Sequence, residues 1–248
     1  MGHPLPWRFG RVFWMGMFAA LKMVVVFVLL GVPAAVVGIP WALVTGDFSP
    51  MYRWGMAAIR LGLRAAGVRV RIAGMEHVPA GRACIFMSNH VSNMDPPVLL
   101  PSLPGMNSVF LKKSLMKIPL LGTAMRIGKF VPVSRGGSRE EAMQSVEIAK
   151  DALAHGLNIM VFPEGTRSPD GKLLPFKKGA FFLAADTGAP IVPVILSGTA
   201  GMWPKGQMKV VPGTATVRFL PVVEPGEYGG REELMQAVRE RMEAALGA

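Results

Sequence analysis

The chain has 248 residues, 51% of them hydrophobic and only 17% charged, with a net charge of +11. This excludes an intrinsically disordered chain and supplies more apolar residues than one core needs. The positive charge points to a polyanionic partner, and 8% aromatics with only two Tyr fit an anionic membrane surface better than a nucleic-acid stacking platform.

From Met23 to Thr45 the sequence MVVVFVLLGVPAAVVGIPWALVT carries no charge over 23 residues. As a helix it is long enough to cross about 30 Å of hydrocarbon. Pro33 and Pro40 interrupt it, which suits a kinked or re-entrant insertion as well as a clean span. Arg8, Arg11 and Lys22 flank it and belong on the cytoplasmic side of an inner or plasma membrane. A secretory signal also begins with basic residues and a hydrophobic stretch, but this one is long for that role and contains two prolines.

In the next segment, FSPMYRWGMAAIRLGLRAAGV, the spacing puts Arg53, Arg60 and Arg64 on one helical face and Met56, Ile59 and Leu63 on another. Such a helix can rest in the headgroup layer with its arginines on lipid phosphates, or simply pack on a core. Composition changes near residue 67, giving two expected units: a membrane-associated helical segment over 1–67 and an α/β domain over 68–248.

Strand-like runs then alternate with helical ones: VRVRIAG, ACIFMS, SVFLKK, KFVPV, LNIMVFP, APIVPVILS and ATVRFLPVV. A helix is expected to start at Ser138 and stop at Gly156, and a second to run from about Arg231 to Leu246. The expected fold is α/β: a mixed, largely parallel sheet flanked by helices, preceded by an N-terminal hydrophobic and amphipathic helical pair. In such folds chemistry sits at the carboxyl ends of strands, and SNHVSNMD, LKKS, SRGG and PEGTRS each follow one.

Cys84 is the single cysteine, so no intramolecular disulfide forms, and its place within ACIFM marks a buried strand residue. His90 and Asp95 stand five apart, about 140° from each other on a regular helix, so they meet only across a turn. Asn93 and the DPP sequence provide one. Spacing alone leaves two readings open. Asp95 is a helix N-cap beside a loop histidine, or Asp95 fixes the tautomer of a general base. In VFPEGTRSPDG, Gly165 between Glu164 and Arg167 permits close backbone approach, and Arg167 can grip a phosphate through two hydrogen bonds. Lys112, Lys113, Arg135 and Lys177 add charge to the same region. No ligand cluster for a metal is expected, and the phosphate-cradling GxxxxGK[ST] loop is absent from the sequence.

Together these blocks resemble the glycerolipid acyltransferases, and within them the 1-acyl-sn-glycerol-3-phosphate acyltransferases. NHVSNMD fits N-H-x-S-x-x-D and FPEGTRS fits the second principal block. The likeness continues through LKKSLMKIPLLG, GKFVPVSR, LLPFKKGAF and PIVPV, in order, over roughly residues 75–200. The family often has an acidic residue before the arginine of the block that holds Arg135, whereas Ser134 stands there in this chain.

The resemblance implies transfer of a fatty acyl group from acyl-CoA or acyl carrier protein to the free hydroxyl of lysophosphatidic acid, with no cofactor. It implies His90 as general base, Asp95 as its orienting partner, and Glu164, Gly165, Thr166 and Arg167 as the acceptor-binding block. Lys112, Arg135 and Lys177 are expected as further phosphate or headgroup contacts. Another lysolipid as acceptor, and a non-catalytic anionic-lipid binding module, are the alternative readings.

Overall fold

The computed structural model describes residues 6–134, 136–203 and 209–247, with side chains from residue 14 onward. Each strand-like run contains a strand: β1 Val68–Ala73, β2 Ile85–Ser88, β3 Asn107–Lys112, β4 Val131–Val133, β5 Asn158–Val161, β6 Ile191–Ser197 and β7 Gly213–Phe219. They form one sheet in the order β1-β7-β6-β2-β5-β3-β4. The pairs β6/β2, β2/β5, β5/β3 and β3/β4 are parallel, while β7 runs antiparallel to β6 and parallel to β1. The sheet is thus mixed and largely parallel, as expected.

Parallel strands covered on both faces need apolar side chains on both, and the central strands comply. In β2, Ile85 and Met87 point into one hydrophobic cluster and Phe86 into the other; in β5, Ile159 and Val161 part from Met160 in the same way. All six are buried, each contributing roughly 1.5–3 kcal/mol relative to exposure.

Seven helices flank the sheet among the described residues: α1 Pro6–Thr45, α2 Ser49–Ala65, α3 Asp95–Leu99, α4 Leu121–Ile127, α5 Arg139–Ala154, α6 Gly179–Thr187 and α7 Arg231–Leu246. The Phe86 cluster gathers residues of α1, α2 and α3, and the Ile85 cluster those of α5, α6 and α7. Ser138 caps α5 as expected, its hydroxyl accepting from Glu141 N at 3.2 Å.

The N-terminal helix runs through Pro33 and Pro40 over 40 residues, about 60 Å of rise. Its segment Trp14–Thr45 is long and apolar enough to cross a membrane. Phe18, Leu21, Leu29, Val37, Leu43 and Val44 are exposed. α2 folds back along it so closely that a Cβ at Gly38 would lie 2.5 Å from Met51 Cβ, which only glycine allows. α2 is also fastened to the sheet, Tyr52 Oη accepting from Asn107 N at 3.0 Å and Nδ2 at 3.2 Å.

Arg60 is exposed on α2 and also holds the neighbouring turn. Its guanidinium donates from Nε and Nη2 to the Pro101 carbonyl, at 3.2 and 2.7 Å, because α2 packs beside the turn that follows α3.

Candidate active site

Because β2, β5, β3 and β4 are parallel neighbours, the loops after them emerge at one edge of the sheet. The β2 loop is held from its first residue. Asn89 exchanges two hydrogen bonds with the Leu196 backbone on β6, Nδ2 donating at 3.0 Å and Oδ1 accepting at 2.8 Å. His90 N donates to Glu164 Oε1 at 2.9 Å, and its carbonyl accepts from Ser168 N at 2.7 Å. The histidine backbone is therefore clamped on both sides by the loop after β5.

The His90 ring stacks on Phe162, with centroids 4.1 Å apart and planes 20° apart. Nδ1 lies 2.8 Å from Asp95 Oδ2. The Asp95 side chain is fully buried, while 16% of the histidine side chain stays accessible. With an acceptor-only carboxylate as its partner, Nδ1 carries the proton and Nε2 keeps its lone pair. Of the two readings left open by spacing, the helix cap is not what forms. Asp95 Oδ2 turns backward to accept from Val91 N at 2.6 Å and Ser92 N at 2.7 Å, N–H groups that precede α3 rather than begin it. Ser92 Oγ in turn donates to the Trp203 carbonyl at 3.0 Å. The loop and the carboxylate thus fix each other.

The second block divides by the direction its side chains take. Glu164 is buried, and its two oxygens accept from His90 N and from Leu174 N, the latter at 2.9 Å. Burial raises its pKa above the ordinary value of 4.5, an effect that these two N–H groups, His90 and Arg239 only partly offset. Gly165 has φ of +69° and carries the chain outward, with Thr166 exposed beyond it. The Lys177 side chain runs over Gly165, its Cγ 3.4 Å from where a Cβ would sit. Arg167 is half-buried and its guanidinium donates to Asn93 Oδ1, linking the two blocks across the edge.

Lys112 ends β3 on the same edge with its side chain exposed, whereas Lys113 is engaged by Glu141 on α5 at 2.7 Å. Arg135 lies outside the described residues. Cys84 stands at the opposite end of β2 from His90, buried, with its thiol pushed up to about 11 by desolvation. A thiol so placed is no nucleophile for this edge.

Sequence reasoning passed over Asn89, Phe162 and Arg239. Arg239 on α7 donates to the carbonyls of Leu174 and Leu173, at 2.9 and 3.0 Å, and so braces the strand of chain whose N–H Glu164 holds. Asn89 adjoins the histidine and Phe162 the second block, so adjacency was the available signal for both. Arg239 had none.

The sequence profile of the Acyltransferase family matches residues 69–197. The chain is 31% identical over 204 residues to a 1-acyl-sn-glycerol-3-phosphate acyltransferase of Limnanthes douglasii, covering 78% of this chain and 71% of that protein. It is 32% identical over 157 residues to the human 1-acyl-sn-glycerol-3-phosphate acyltransferase alpha, covering 63% of this chain and 56% of the human protein. A crystal structure of the 1-acyl-sn-glycerophosphate (LPA) acyltransferase PlsC from Thermotoga maritima matches with a TM-score of 0.79 at 27% identity, covering 97% of this chain and 96% of that one.

Proposed function

Since the chain belongs to the acyltransferase family, we propose that it acts as a 1-acyl-sn-glycerol-3-phosphate acyltransferase, moving an acyl group from acyl-CoA or acyl carrier protein to lysophosphatidic acid. The observation that carries this reading is the buried Asp95 on His90 Nδ1, which leaves Nε2 as the accessible base. Nε2 takes the proton of the sn-2 hydroxyl as its oxygen attacks the thioester carbonyl. The carbon–sulfur bond breaks, and the imidazolium returns the proton to the leaving thiolate. Asp95 holds the imidazole in orientation and balances the charge it gains. Base catalysis of this kind contributes about 10²–10⁴-fold, and holding both substrates together supplies much of the rest.

Arg167, Lys177 and Lys112 surround the same edge and are assigned to the acceptor phosphate, with Gly165 and Thr166 as its backbone cradle and Arg135 as a further contact. Glu164 serves this site by holding the His90 backbone. Residues 1–67 act as the membrane-binding unit and 68–248 as the catalytic one. The acceptor lives in a bilayer, and the exposed apolar length of α1 together with the basic charge suits the cytoplasmic face of an anionic inner membrane.

The test is thiol release from oleoyl-CoA or palmitoyl carrier protein with lysophosphatidic acid in mixed micelles, for wild type, His90→Ala and Arg167→Ala. Loss of turnover in the first and a raised acceptor KM in the second are expected. Unchanged turnover in His90→Ala would remove the mechanism. Turnover of wild type with other lysolipids alone would change the acceptor.

A further inference from the structure

The segment between β3 and α4 exposes an apolar surface that the core has no use for. In and just after the 3-10 turn Lys113–Lys117, Leu115, Ile118 and Leu120 are 39%, 43% and 40% exposed within six residues. Leu120 has φ 59° and ψ −57°, and Leu121 N donates to the Pro119 carbonyl at 2.6 Å. This is a γ-turn of the strained, positive-φ kind, unfavourable for a bulky L-residue. The fold keeps a leucine in that conformation with its side chain in the open.

Two further observations say what covers this surface. α4, which follows the turn, packs against α1, so the leucines stand beside the helix whose apolar side chains are exposed. The sequence around them is also free of acid. Between Asp95 and Glu140 there is no Asp or Glu, and of the cations in that interval Lys113 pairs with Glu141 and Lys129 with Asp151, while Lys112, Lys117, Arg126 and Arg139 form no ion pair among the described residues. Aliphatic tips set among cations, on an edge continuous with an apolar helix, match the boundary between headgroups and acyl chains of an anionic bilayer.

We propose that the loop around Leu115, Ile118 and Leu120 is a second membrane contact, seating its three aliphatic side chains in the bilayer that α1 enters. The proposal rests on the reading of α1 as membrane-bound. Its consequence is geometrical. One helix leaves a domain free to swivel, and a second contact on the edge that bears His90 turns that edge toward the lipid surface.

The experiment uses the full chain in nanodiscs containing phosphatidylglycerol, with a fluorophore on Ile118→Cys, on Glu227→Cys at the opposite end of the sheet, or on Leu29→Cys in α1. Cys84 is buried and does not compete for label. Lipids with brominated acyl chains are expected to quench most of the emission at 118 and 29 and none at 227. Emission at 118 untouched while 29 is quenched overturns the proposal and spares the reading of α1; neither quenched removes both.

A second arm compares wild type with a triple variant, Leu115→Ser, Ile118→Ser and Leu120→Ser. Turnover on a long-chain acceptor in vesicles is expected to fall about 10-fold, with turnover on a short-chain monomeric acceptor kept. An equal loss on both, or none on either, overturns the proposal. Should the triple variant fail to fold, the quenching decides. A wild type inactive on both acceptors would remove the enzymatic reading and leave the quenching result intact.

Discussion

On α1 the outward side chains are largely apolar, while at the edge of the sheet the carboxylates of Asp95 and Glu164 are committed to named ring and backbone donors. Val36, Val37, Leu43 and Val44 are exposed on α1 and differ little in what they could offer a bilayer. At the edge, Asp95 Oδ2 accepts from His90, Val91 and Ser92 while Glu164 divides its two oxygens between His90 and Leu174. The difference teaches where substitutions matter: a surface tolerates loss of any one member, and a hydrogen-bonded edge does not.

The sharpest test of that contrast is Asp95→Asn. Oδ2 alone receives Val91 N, Ser92 N and His90 Nδ1, so the asparagine keeps its amide oxygen at that position and loses the negative charge that would balance the imidazolium. The expected result is a kcat lower by about 10²–10⁴-fold in the thiol-release assay, with the fold retained by circular dichroism.

Glu164→Gln comes next. One of its two N–H partners must then face an amide NH₂, costing about 1–3 kcal/mol and loosening the His90 backbone, visible as a lower melting temperature and a reduced kcat. The pH dependence has a definite sign. The folded pKa of Glu164 lies above its unfolded value, so its contribution to stability is full below the unfolded pKa and is lost as pH rises through the folded one. The glutamine variant lacks that part of the fall, and denaturant melts across the acidic range would show it.

Arg239→Ala tests whether the edge extends to α7. Removing both donors to Leu173 and Leu174 is expected to lower kcat several-fold and stability by about 1–2 kcal/mol, leaving acceptor KM unchanged. Partial rescue by lysine would mark the hydrogen bonds as the cause.

The hairpin breaks in a different way. Gly38→Val places atoms where Met51 lies and is expected to cost about 1–3 kcal/mol through overpacking, read as a lower melting temperature with kcat in micelles little changed. Smallest of all is Leu43→Ser, on a side chain 72% exposed, expected to shift stability by no more than about 0.5 kcal/mol and leave turnover intact. A large effect there would erase the distinction between the two regions.

Much of this was legible in the sequence, and for identifiable reasons. Strands such as ACIFMS and LNIMVFP are short apolar runs bounded by turns, and Ser138 with two following glutamates spells a helix start. His90 and Asp95 lie within one loop, so their meeting needed only a turn. What stayed hidden depended on side-chain direction across long sequence separations. Nothing in EGTR says that the glutamate faces inward to a backbone 74 residues away. Nothing in a helical wheel says that Arg60 finds the Pro101 carbonyl. Pro33 and Pro40 left a kinked insertion and a clean span equally open, and the helix continues through both.

The strand order also governs how the protein comes into being. β2 pairs only with β5 and β6, so Ile85–Ser88 has no neighbour until residues 158 and beyond have been made. At roughly 5–20 residues per second a ribosome takes several seconds to supply them. During that time two bare edges of an apolar strand wait, while α1, long and apolar enough over Trp14–Thr45 to cross a membrane, has already emerged. A nascent chain of this design depends on the membrane or a chaperone well before it has a histidine to work with, and fragments ending near residue 150 are bound to aggregate.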